Sequence, residues 1–158
     1  DALDIGDVAI AEPFEAVWDS YLSTKHRVFA FVGDGGNSFK NVNSGWVAAW
    51  LKSSDDQPTV QNICAALSEG NFYFSRGPKF ASIVITKNTL EVSVDGFNPA
   101  TDQIDFIGLH GKLLNRATAA SVRYVLLGGE GYVRVHVRQG HGEARRDAWT
   151  QSYFVKYE

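Results

Sequence analysis

The sequence predicts an α+β fold in two parts, and three observations carry that expectation. Two segments of the first half repeat apolar residues at helical spacing. Two others are continuous apolar runs of strand length. Beyond Pro78 helical spacing disappears and short alternating runs take over.

The first helix is expected over 13–23. Phe14, Val17, Trp18, Tyr21 and Leu22 fall at i, i+3, i+4, i+7 and i+8 and form one apolar stripe. Pro13 suits the first helical position, and Glu12 and Glu15 suit the positive end of the helix dipole. Val28 to Val32 is apolar throughout and reads as a strand buried on both faces, as in a parallel sheet. It stops at the loop signal Gly33-Asp34-Gly35-Gly36-Asn37-Ser38. Gly45 to Leu51 is a second apolar strand. Asp55-Asp56-Gln57-Pro58 opens a second helix, in which Val60, Ile63, Cys64 and Leu67 are expected to face the core and Gly70 to cap the C-terminus. After Pro78, strands are expected near 80–86, 89–95, 102–108, 121–127, 131–138 and 149–157. The turn signals Lys87-Asn88, Asp95-Gly96, Gly128-Gly129 and Gly140-His141-Gly142 separate them, and the spacing suggests a small antiparallel β-sandwich. With no linker between the halves, the two are expected to pack together.

Composition narrows the function classes. The chain has 158 residues, 44% of them hydrophobic and 21% charged, which is globular composition and excludes a disordered tail, a collagen-like chain or a disulfide scaffold. A net charge of -3 and a pI near 5.8 argue against non-specific nucleic-acid binding, which needs a basic surface. No apolar run is long enough for a membrane span or an intact signal peptide. The chain starts at Asp1 and contains no methionine, so it is expected to be a processed product or a fragment, soluble, with export after loss of a leader left open.

Three segments could carry chemistry. The glycine loop after the first strand could cradle an anion with backbone N–H groups, and its Asp34 could take a metal. Its spacing, however, matches neither the dinucleotide fingerprint nor a P-loop, and a simple turn is the plainer reading. In Asn71-Phe72-Tyr73-Phe74-Ser75-Arg76-Gly77-Pro78, Ser75 and Arg76 could reach a phosphate, against a plainer reading of core aromatics and a solvated arginine. Near 131–138, Val133, Val135 and Val137 would face inward, leaving Arg134, His136 and Arg138 as a basic stripe on a solvated face. His141 would sit in an exposed turn. None of the four histidines falls in a zinc pattern, and no nucleophile elbow occurs.

Taken in order, several of these segments resemble the PHP (polymerase and histidinol phosphatase) family of metal-dependent phosphoesterases. Phe14 to Ser23 is similar to its "E-x-x-W-D-x-L-L-S" helix. Gly33 to Asn37 falls where that family has a "D-D-x-H" loop, and Gly45-Trp46-Val47 resembles its "G-W" strand. Pro58 to Pro78 is similar to "I-x-x-A-L-x-x-G-x-F-Y-x-S-x-G-P". Tyr132-Val133-Arg134-Val135 and Ala148-Trp149-Thr150-Gln151 resemble its "Y-V-R-V" and "A-W-T-x-P" tail.

The resemblance implies that residues 1–78 are the C-terminal part of a PHP-like α/β barrel and residues 79–158 a β-sandwich. It implies a divalent metal (zinc, manganese or magnesium) with Asp34 as surviving ligand and Asn37 in a histidine's place, and a phosphate-containing small molecule lined by Ser75, Arg76 and Trp46. Gly35 replaces the family's second Asp, and the "H-x-H" ligands lie upstream of anything present, so the chain alone is not expected to be catalytically competent. Two functions follow: the C-terminal fragment of a phosphoester hydrolase, or a non-catalytic binding or self-assembling module derived from one. Either leaves an open strand edge, to be covered by a missing upstream barrel segment or by self-association.

Overall fold

The computed structural model describes residues 2–4, 11–33, 44–52 and 57–155. In chain order the elements are β1 (Ala2–Asp4), α1 (Ala11–Ser23), β2 (Phe29–Phe31), β3 (Trp46–Ala49), α2 (Val60–Glu69), β4 (Phe72–Ser75), β5 (Phe80–Ile85) and β6 (Thr89–Val94). They continue with β7 (Gln103–Gly108), β8 (Lys112–Ala117), β9 (Ser121–Val125), β10 (Tyr132–Gln139), β11 (Arg146–Thr150) and β12 (Tyr153–Phe154). No described helix is long and apolar enough to cross a membrane.

Antiparallel sheet predominates among the described elements. A seven-stranded sheet runs β3-β4-β11-β10-β7-β8, with β12 pairing β10 beside β11, and a second sheet runs β5-β6-β9. The side-chain alternation of β10 explains how the layers stack. Val133, Val135 and Val137 point to one face, where they pack with Tyr73, Ile104, Phe106 and Ala148 against Phe80, Leu90, Val92 and Val94 of the smaller sheet. Residues of opposite parity, Tyr132, Phe74 and Trp149, meet Trp18 and Leu22 of α1 and Val28, Ala30 and Val32 around β2 on the other face. The large sheet is therefore covered on both sides, and β10 is buried from Tyr132 through Val137.

This β-rich sandwich corrects the α+β expectation and with it the terminal part of a PHP-like α/β barrel. Among the described residues no barrel closes. β2 pairs in parallel with β1 alone, and β3 and β4 enter the antiparallel sheet through β11. That sheet draws strands from both sides of the boundary expected at residue 78. A continuous apolar run reports that both faces of a strand are covered, but not which sheet it joins. Here Val28, Ala30 and Val32 are buried against α1 and the large sheet, while Phe29 packs edge-on to Phe72 at 5.9 Å.

Local chemistry sets the helix ends. Thr59 Oγ1 accepts the Asn62 N–H at 3.2 Å as the N-cap of α2, and Gly70 (φ 78°) ends it in the left-handed conformation, as the sequence suggests. A Cβ at Gly70 would lie 2.4 Å from the Phe29 ring, so the position needs glycine for space as well as for φ.

Candidate functional site

Two surfaces stand out: the charged seam between α1 and the large sheet, and the outer face of α2.

At the seam, Glu15 and Asp19 sit one turn apart on α1, and Arg134 and His136 are alternate residues of β10, so all four face one another. All four are buried, Arg134 to 1% exposure and His136 to 0%. The Asp19 carboxylate accepts two hydrogen bonds from Arg134, Nε at 2.8 Å and Nη2 at 2.7 Å, and a third from the Tyr132 hydroxyl at 2.7 Å. Arg134 Nη1 lies 2.9 Å from Glu15 Oε2, and His136 Nδ1 lies 3.5 Å from Glu15 Oε1. Both are misaligned for hydrogen bonds, so the attraction there is electrostatic. On its other side His136 Nε2 meets Asp147 Oδ1 at 2.7 Å, and Asp147 accepts from Arg145 Nε at 3.0 Å. Trp18 lies under the Arg134 guanidinium at 5.0 Å, and Trp149 stacks on His136 at 4.9 Å.

Charge states follow from this packing. Burial alone would raise the Glu15 carboxyl, but the electrostatic attraction of His136 and Arg134 outweighs it and holds the group below its ordinary value. Asp147 behaves likewise: burial opposes ionisation, and His136 and Arg145 overcome it. Burial pushes the Tyr132 hydroxyl up, and Asp19 pushes it further, so it stays a donor. Beside the seam opens a cavity of about 430 Å³ whose walls include Glu15, Asp19, Ser20, His110, Arg134 and Arg138. Its buried charges are already paired within the protein, so the seam acts chemically as a clamp that fastens α1 to the sheet. Gly111 (φ 72°) completes it: a Cβ there would lie 2.9 Å from Asp19 Oδ2.

The expected solvated stripe is thus corrected in part. Arg134 and His136 are covered by α1, and Arg138 is half-buried, paired with Asp105. The missed signal was the complementarity between an i, i+4 carboxylate pair on a helix and an i, i+2 arginine–histidine pair on a strand.

The α2 stripe is corrected outright. Val60, Ile63 and Leu67 are 79%, 38% and 36% exposed and Cys64 is exposed with them. Ala66 is the buried residue of this helix. The neighbouring β3 pairs with β4 on one side and has no ladder partner on the other among the described residues.

Of the remaining expected residues, Trp46, Ser75 and Arg76 lie among the described ones. Trp46 and Ser75 are register partners on β3 and β4. Ser75 is buried, its hydroxyl donating to the Pro78 carbonyl at 2.6 Å and accepting the Gly77 N–H at 3.0 Å, which is the chemistry of a turn. Arg76 is half-buried and its backbone N–H bonds the Asp147 carbonyl. Asp34 and Asn37 lie outside the described residues. Among the described residues, no group of three or more His, Cys, Asp or Glu is arranged to hold a metal ion. No protein-family model, curated protein or solved structure matches the chain, so the likeness to PHP phosphoesterases stands on the quoted motifs alone.

Proposed function

We propose that this chain is a non-catalytic assembly module that pairs with a second copy of itself through the outer face of α2 and the edge of β3 that has no ladder partner among the described residues. The exposed stripe Val60, Ile63, Cys64 and Leu67 carries this reading. Apolar residues repeated on one helical face normally face a core, and here they face solvent beside a strand edge that can accept a ladder. Val47 and Trp50, at 37% and 38% exposure, extend the apolar area around that edge. A helix stripe and an edge strand are each self-complementary about a two-fold axis, so a second copy satisfies both at once. The phosphoester-hydrolase reading rests on the resemblance and on Asp34 and Asn37; among the expected pocket residues, Ser75 is already engaged within its own turn.

Sedimentation velocity over a range of protein concentrations tests the proposal. The expected result is a dimer that Ile63→Glu with Leu67→Glu converts to a folded monomer of unchanged circular dichroism. Mild oxidation should join copies through Cys64 in the unmutated protein and not in the double variant. A chain that stays monomeric at high micromolar concentration would overturn the reading.

A further inference from the structure

A second cavity, of about 250 Å³, lies at the far end of β10 and β11, where Gly140 to Arg145 turn between the strands. Its described walls are Thr101, Gln103, Arg138, Gly140, His141, Gly142 and Arg145, so among the described residues they carry two guanidiniums and an imidazole and no carboxylate. Three aspartates stand buried behind the walls, while Glu143 of the same turn is exposed. Asp105 accepts from Arg116 Nε at 2.7 Å and Nη2 at 2.9 Å, and also holds Arg138. Asp147 fixes Arg145. Asp102 accepts the Gly140 N–H at 3.0 Å, the Asn98 N–H at 2.8 Å and the Thr101 hydroxyl at 2.7 Å.

We infer that this cavity is a binding site for a small, doubly charged oxyanion of the phosphate type, either free phosphate or the head group of a phosphate monoester. Arg138, Arg145 and the Thr101–Gly140 wall are each held from behind by a different buried aspartate, so both guanidiniums are positioned before a ligand arrives. Planar guanidiniums offer paired donors that match oxyanion geometry, and two of them with a histidine suit a charge above one. Arg138 keeps a 22% exposed side chain, and His141 is exposed. The volume suits a tetrahedral ion with its water, or one phosphoryl group with the rest of its carrier outside. The site is separate from the α2 face.

Titration of the ¹⁵N-labelled protein with inorganic phosphate, ethyl phosphate and, as control, chloride tests the inference. Saturable shifts of the His141, Gly142 and Arg145 amides are expected with the phosphates and not with chloride. His141→Ala, on an exposed turn, should weaken binding several-fold, and Arg138→Gln by roughly tenfold or more, as for a lost charged hydrogen bond. Tighter binding of ethyl phosphate assigns the site to a head group, and tighter binding of inorganic phosphate assigns it to the free ion. Absence of saturable shifts, an equal response to chloride, or unaltered affinity in His141→Ala would overturn the inference, even if Arg138→Gln fails to fold.

Discussion

In α1, Trp18 and Leu22 are buried while Val17 and Tyr21 stand 44% and 48% exposed. In α2, Ala66 is buried and the whole stripe of Val60, Ile63, Cys64 and Leu67 faces out. Both helices carry the same apolar period. α1 has turned towards Glu15 and Asp19, because the sheet beneath it presents Arg134 and His136 and needs their charge. α2 has no such complement within the described chain. Apolar period locates the face a helix means to cover. Which surface covers it, and through which interactions, depends on residues far away in sequence or on another molecule.

The largest test of this contrast is Asp19→Ala. It leaves Arg134 buried with only the misaligned Glu15 contact and removes the acceptor of Tyr132. Urea denaturation should show a loss of about 3–5 kcal/mol. A loss below about 1 kcal/mol, the range of surface pairs, would mean that the seam does not fasten α1. Next come paired truncations. Leu22→Ala on α1 should cost about 2–5 kcal/mol, and Leu67→Ala on α2, in dilute protein, about 0.5 kcal/mol or less. Equal costs would erase the distinction between the helices.

The smallest effect is on acid stability. Glu15 is held below its ordinary value in the folded chain, so its contribution is full above the unfolded-state value and is lost as pH falls through the lowered one. Glu15→Gln should therefore flatten the stability curve below about pH 4. Thr59→Ala, which removes an uncharged cap from α2, should lower the curve by about 1 kcal/mol without changing its slope. An acid limb identical in Glu15→Gln and the unmutated protein would count against the charged clamp.

Much of the local structure was legible. The helix expected over 13–23 forms over Ala11–Ser23, and Gly70 caps α2. The inward set Val133, Val135 and Val137 is buried as its alternation suggests. β8 was not legible: Lys-Leu-Leu-Asn-Arg-Ala lacks both alternation and β-branched residues, and it is a strand because β7 offers it a ladder. The single segment expected at 149–157 divides into β11 and β12 around Gln151 and Ser152, both buried. The seam was illegible for a related reason. Glu15 could be seen at the start of a helix and Arg134 on a strand, but their pairing spans the chain and leaves no local period.

That span bears on the order of folding. Gln151 grips the backbone of Ala30, its Nε2 donating to the carbonyl at 2.7 Å and its Oε1 accepting the N–H at 3.1 Å, so a side-chain amide plays the part of a neighbouring strand across 121 residues. Asp19 reaches Arg134 across 115. During synthesis α1 and β2 leave the ribosome long before either partner exists. The N-terminal segment must therefore remain undocked, its carboxylates hydrated and its tryptophan uncovered, until residues 132–151 arrive. Such non-local closure slows folding, and it makes the last strands of the sandwich the step that commits the first helix.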